Sequence, residues 1–283
     1  SAITGHRLKS SKTFYFSIKL FCKRSNEVRL THADLTKANL KGAYLVKSIL
    51  TAARLSGAIL SGVNLRLANL GGVNFCGADL RGINLRSANL VNANLNWANL
   101  SGARLSGALL RGASFTGVNL TQAYLNGVDL NSVQMEGVNL SGAKLSGANL
   151  SLANLSATNL SSAQMRVSFL FRTNLHAASL NGANLSRSDL CEANLSKADL
   201  SHANLQNADL TGAMLVQSNL FQANLTEVSL QGACLCGSNF NVAELRGANL
   251  SEADLRGAYF EPSHWEDMSL PDTREMENRK IYE

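Results

Sequence analysis

An all-β, four-sided coil is the fold this sequence predicts, and three observations predict it. Every fifth residue from Leu30 to Phe260 is large and apolar. The residue two places before each of these is short, most often Ala. Both prolines, Pro262 and Pro271, lie beyond the last of these positions.

The period comes first. Of the 47 large positions 41 are Leu, and the others are Phe75, Phe115, Met135, Met165, Phe240 and Phe260. No insertion or deletion shifts the register. Two residues before this centre, 31 positions are Ala and eight are Val, with Ile83, Ser and Thr filling the rest. The residue directly before the centre is Asn or Asp in 28 cases, and two residues after it 20 are Gly. The consensus is A-N/D-L-S-G.

A helix does not explain a period of five. At 100° per residue the Leu positions drift around all sides of the helix. A regular strand also fails, because an odd period sends alternate Leu side chains to opposite faces. A chain that turns a corner every five residues keeps each centre and its short partner facing inward. Four pentads then close one coil of 20 residues. Stacked at the strand spacing of about 4.8 Å, the 47 pentads make about 12 coils and a rod roughly 55 Å long. Backbone N–H groups are then needed throughout, which keeps proline out. Leu layers alternating with Ala layers fill the interior without overpacking. Gly suits corners of unusual φ, and Asn or Asp suits turns through side-chain bonds to nearby backbone.

Stretches such as ANLSGARL (98–105) and ADLSHANLQNADLTGAML (198–215) closely match the motif of the pentapeptide-repeat family. The chain resembles that family over residues 26–260. The resemblance implies a right-handed quadrilateral β-helix, a pentapeptide-repeat solenoid capped at both ends and often dimeric through a terminal cap. It implies no single function. Some members inhibit or protect DNA gyrase by imitating duplex DNA with an acidic rod. The net charge of +6 here has the opposite sign, which argues against that role. The abundance of the family in cyanobacteria, where members are regulatory or of unknown role, implies a bacterial, cytoplasmic protein.

Three segments follow: a cap or arm at 1–25, the repeat at 26–260, and a cap with a charged tail at 261–283. Phe14, Phe16, Ile18 and Leu20 alternate as a strand covering the first coil. Lys9, Lys12, Lys19, Lys23 and Arg24 make that end basic. Trp265, Met268 and Leu270 continue the apolar set after Pro262 as a plug, or as the contact of a homodimer.

Composition argues against chemistry. Charged residues are 16% and aromatics 6%, so the surface is covered by Asn, Ser and Gly rather than by the usual ions. The five histidines (His6, His32, His176, His202, His264) fall in no metal-binding spacing. The glycines follow the repeat and form no phosphate loop, and no base is set beside a Ser nucleophile. No enzyme activity and no cofactor are expected. Five cysteines at irregular spacings read as thiols in a reducing compartment, cytoplasmic unless a targeting segment for a lumen or periplasm has been removed. Cys234 and Cys236 are the one close pair and read as surface thiols. The aligned residues one coil away, Met214, Val216, Asp254 and Arg256, are taken to supply no further metal ligands. No apolar run is long enough to insert in a membrane.

Function then rests on the outer faces. Sorted by the 20-residue coil, one face collects Lys47, Arg66, Arg86, Arg104, Lys144, Arg166, Arg187 and Arg246 against Glu227 and Glu244. Such a stripe suits nucleic acid or an anionic surface. It has a gap at Tyr124 and no interleaved aromatics for stacking, so a solvated face that keeps the protein soluble is the preferred account. A second face carries Leu152, Phe169, Phe171 and Arg172, with Phe169 and Phe171 flanking an inward Leu170. Outward aromatics grouped this way suit a protein partner. The leading expectation is a non-catalytic scaffold or regulatory module that binds a protein, with nucleic-acid binding second.

Overall fold

The computed structural model describes residues 28–260. The expected caps at 1–25 and 261–283, with Phe14 and Trp265, lie outside them. The described chain divides into two compact units, one ending at Asp129 and one beginning at Leu130.

Each unit is built from the same five-residue step. Single-residue parallel bridges join the position before the centre to its equivalent 20 residues on, as in Asn74 with Asn94 in the first unit and Asn174 with Asn194 in the second. A turn follows every centre.

The pentad around Phe75 shows why each residue type is needed. The Val73 N–H donates to the Leu70 carbonyl at 3.0 Å and closes the turn. The Asn74 N–H donates one coil back to Ala53 at 3.0 Å, and the Phe75 N–H one coil forward to Asn94 at 2.8 Å. The Gly77 N–H also reaches forward, to Asn96 at 2.9 Å. One donor is left, the Cys76 N–H, and the Asn74 Oδ1 accepts it at 3.0 Å. All five donors are satisfied, as an ordered backbone requires. The Asn or Asp of the consensus therefore caps an N–H that no coil reaches. The same oxygen also accepts across coils: Asn194 Nδ2 donates to Asn174 Oδ1, and Asn174 Nδ2 to Asn154 Oδ1.

The core is as the period predicts. From Leu45 to Leu250 the centres are almost wholly inaccessible, and the Ala and Val partners beside them are buried except for Ala113 and Val133, which are half-buried. Where Ser or Thr takes the short position its hydroxyl bonds inside the wall, except at Ser218, whose buried hydroxyl has no partner among the described residues. Ser48 donates to the Leu45 carbonyl at 2.6 Å, and Thr158 to the Met135 carbonyl at 2.9 Å. Both hydroxyls escape the desolvation cost of an unpaired polar group.

The corners go beyond the expectation for Gly. Every described residue two places after a centre, from His32 to Gly257, has positive φ. Twenty are Gly and 26 are not, so the coil forces the left-handed conformation on residues that resist it. With the carbonyl three residues back accepting the closing bond, this is the type II pattern. Val167 and Val242, both at φ 57°, are the costliest cases because they are β-branched. Their side chains are exposed and support no core. Val167→Gly is expected to raise the stability of the second unit by about 1 kcal/mol, since a left-handed L-residue costs about 1–2 kcal/mol. A rise in melting temperature checks it.

Candidate interaction surfaces

The eight cationic residues fall as the coil arithmetic places them, four in each unit. In the first unit Arg66 and Arg86 occupy one column on successive coils, flanked by Lys47 and Arg104, and all four are exposed. In the second unit Arg166, Arg187 and Arg246 are exposed and Lys144 is half-buried. None of the eight makes an ion pair among the described residues. Arg54, Arg81, Arg172 and Arg256 differ, each being held by a carboxylate. The second-unit set is spread thinly, with Asn204, Gln206 and Thr226 between Arg187 and Arg246.

The aromatic patch lies wholly in the second unit. Leu170 is fully inward, as the register requires. Phe169 on one side of it is 50% exposed, and Leu152, one coil earlier, is 51% exposed. The two Phe residues are not equivalent. Phe171 is half-buried, and the Arg172 guanidinium lies over its ring 4.9 Å from the centroid. Arg172 is fixed in that position by Glu192, whose Oε2 accepts from its Nε at 2.6 Å. A cation over an aromatic face is attracted by the ring quadrupole. The patch is thus an apolar knob, Phe169 with Leu152, beside a charged lid over Phe171. Expecting both rings to stand free overlooked that lid, since no spacing rule reveals which neighbour folds over a ring.

Phe169 also occupies the consensus Asn position. Its bridge partners on the coils either side are Asn149 and Asp189. A phenyl ring cannot accept the Phe171 N–H, so this pentad gives up its cap for an exposed aromatic.

Four cysteines are described, and all are free thiols. Burial pushes the Cys191 thiol up to about 12, helped by Asp189 and Asp209, so it stays protonated and unreactive. Cys234 and Cys236, expected as a pair of ordinary surface thiols, are partly buried. Their sulfurs lie 3.5 Å apart. One ligand atom of each, together with a carboxylate oxygen of Asp254, falls within 4.8 Å of the others. Asp254, expected from column alignment to add no metal ligand, supplies one of these three atoms. It sits one coil on, joined to Cys234 by a parallel bridge. Met214, Val216 and Arg256 add no carboxylate or thiol to the group. Burial, followed by the neighbouring Asp254 and Cys234, raises the Cys236 thiol to about 11. The Arg256 guanidinium holds Asp254 well below the usual carboxylate range.

No described helix is long and apolar enough to cross a membrane. The chain matches the family described as Pentapeptide repeats in eight copies, running from residues 29–66 to residues 243–261. No curated protein matches it. Among solved structures it is similar to HetL, a pentapeptide repeat protein involved in heterocyst differentiation regulation in the cyanobacterium Nostoc sp. strain PCC 7120. The identity is 33%, over 84% of this chain and 92% of that one, with a TM-score of 0.36. A pentapeptide repeat protein of the Arabidopsis thaliana thylakoid lumen is 31% identical over 34% of this chain and 68% of its own, with a TM-score of 0.34. QnrB1, a plasmid-mediated fluoroquinolone resistance protein, is 17% identical over 72% of this chain and 90% of its own, with a TM-score of 0.36.

Proposed function

This chain belongs to the pentapeptide-repeat family, whose members fold as right-handed quadrilateral β-helices, and from that premise we propose that it is a non-catalytic interaction module that binds a protein partner. The observation that carries this is the knob of Phe169 and Leu152. Phe169 stands exposed at a repeat position that is most often Asn or Asp, and Leu152 stands exposed at a corner one coil earlier; neither supports a core, and exposed apolar groups that cluster this way suit a protein contact. The regular wall of Ser, Asn and short side chains supports a binding role over catalysis. The four free thiols accord with a reducing, cytoplasmic setting.

Folding and binding separate cleanly at Phe169. Phe169→Asn restores the consensus and supplies the oxygen that caps the Phe171 N–H. The variant is expected to be more stable by about 1 kcal/mol, the net worth of one hydrogen bond, while losing the partner. Denaturant unfolding of the variant checks the first half. Recovery of the partner on wild type, on Phe169→Asn and on the double variant Phe169→Ser with Phe171→Ser checks the second. Equal recovery on all three would overturn the patch.

A second reading, nucleic acid or another anionic surface, has one observation in its favour: eight cations that no described carboxylate neutralises. Titration of a short DNA duplex across a salt series tests it. Phosphate contacts give a slope of about −0.9 per contact in log K against log salt. We expect no appreciable duplex binding at physiological salt, because the cations lack aromatic platforms and the second-unit set is sparse. Strong binding with a slope of several ions would move the function to nucleic acid. Gyrase mimicry stands last, because the net charge of +6 is opposite to that of DNA.

A further inference from the structure

We propose that Cys234, Cys236 and Asp254 form a binding site for a thiophilic divalent cation, Zn2+, with the fourth position left to water. The first support is geometric. Two sulfurs each about 2.3 Å from one tetrahedral zinc lie about 3.8 Å apart. Cys234 Sγ and Cys236 Sγ stand 3.5 Å apart without a metal. A small rotamer change therefore opens the pair to the required edge. The Asp254 carboxylate already lies within 4.8 Å of both sulfurs, as a third vertex requires.

The coil supplies this arrangement. Cys234 and Cys236 flank the inward Leu235, so both side chains leave the same face of the wall. Asp254 takes the column of Cys234 on the next coil through the bridge between them. A cation here joins two successive coils of the second unit. Two thiolates with one carboxylate suit zinc, whereas an all-oxygen site suits magnesium or calcium.

Arg256 is the counterpart of the site in the absence of a cation. Its Nε lies 2.9 Å from both carboxylate oxygens of Asp254, and its Nη2 donates to Oδ2 at 2.6 Å. The guanidinium keeps Asp254 ionised and occupies the carboxylate that a metal needs. Binding releases that contact and sends the thiol protons to solvent. The groups facing the two sulfurs are Asp254 and Arg256 on the next coil and the uncharged Met214 and Val216 on the previous one. Because binding displaces the thiol protons, the affinity rises with pH.

The test uses the full chain, reduced and stripped of metal, titrated with Zn2+ by calorimetry and with Co2+ by absorption. One equivalent is expected, with the sulfur-to-metal charge-transfer band of a tetrahedral thiolate site. Cys234→Ser and Cys236→Ser should each weaken binding by about 100-fold or more and remove the band, and Asp254→Asn should weaken it about tenfold. Cys191→Ser should leave it unchanged. Arg256→Gln, which removes the guanidinium from the carboxylate, should tighten binding by about tenfold. Absence of uptake by wild type, uptake unchanged in either cysteine variant, or identical affinity in Asp254→Asn would each overturn the site.

Discussion

Leu155→Ala is expected to lower the unfolding free energy by about 2–5 kcal/mol, the range for deleting a buried Leu where the surroundings relax only partly. Leu155 is fully buried, with Met135 and Leu175 at the equivalent positions one coil away. The neighbouring coils hold each other by backbone bonds on every side. Asn154 donates to Val133 at 2.9 Å, and Leu155 to Asn174 at 2.7 Å. The wall therefore cannot collapse onto the cavity. Leu152 is the internal control. It lies three residues away in the same unit but faces outward, so Leu152→Ala should change stability by no more than about 0.5 kcal/mol. Denaturant titrations of the two variants read this contrast directly. Equal losses would mean that the five-residue register does not decide which Leu is core.

Proline inside the wall should be at least as damaging. Asn174→Pro removes the N–H that donates to Ala153 at 2.9 Å. It also removes the side chain that caps the His176 N–H at 3.1 Å, donates to Asn154 and accepts from Asn194. A lost ladder bond together with the ring clash costs about 3 kcal/mol or more, and each lost side-chain bond adds about 0.5–1.5 kcal/mol. Asn174→Ala separates the two parts, because it keeps the backbone donor and loses only the side chain. The Ala variant should unfold at clearly higher denaturant than the Pro variant. The same physics explains why Pro262 and Pro271 lie past the last repeat.

The spacing of Leu at every fifth position revealed the coil, because only a corner every five residues keeps such a series inward. The Asn preference was legible as turn chemistry, but its task was not. That each Asn oxygen takes the one N–H no adjacent coil reaches appears only when all five donors of a pentad are traced. The corners were half legible. Gly at 20 positions signalled positive φ, yet Leu67, Trp97 and Val167 share that conformation. Stacking imposes it regardless of the residue, and composition carries no trace of that. At the surface, a 20-residue alignment found which side chains share a face, and Phe169 with Leu152 emerged as an exposed pair. It did not show that Arg172 folds over Phe171, or that the Asp254 carboxylate comes within ligand distance of Cys234 and Cys236. Both depend on side-chain direction across coils about 4.8 Å apart, which residue spacing alone does not contain.

The measurement that bears most directly on the proposed role is site-specific photo-crosslinking in cells of the native host. A photoreactive phenylalanine analogue at position 169 sits at the centre of the apolar knob. The same group at Ser179 lies on a different side of the same unit. A discrete protein adduct from position 169 and none from position 179 is the result expected of an interaction module docking through Phe169. No adduct at 169, or the same adducts at both positions, would contradict it.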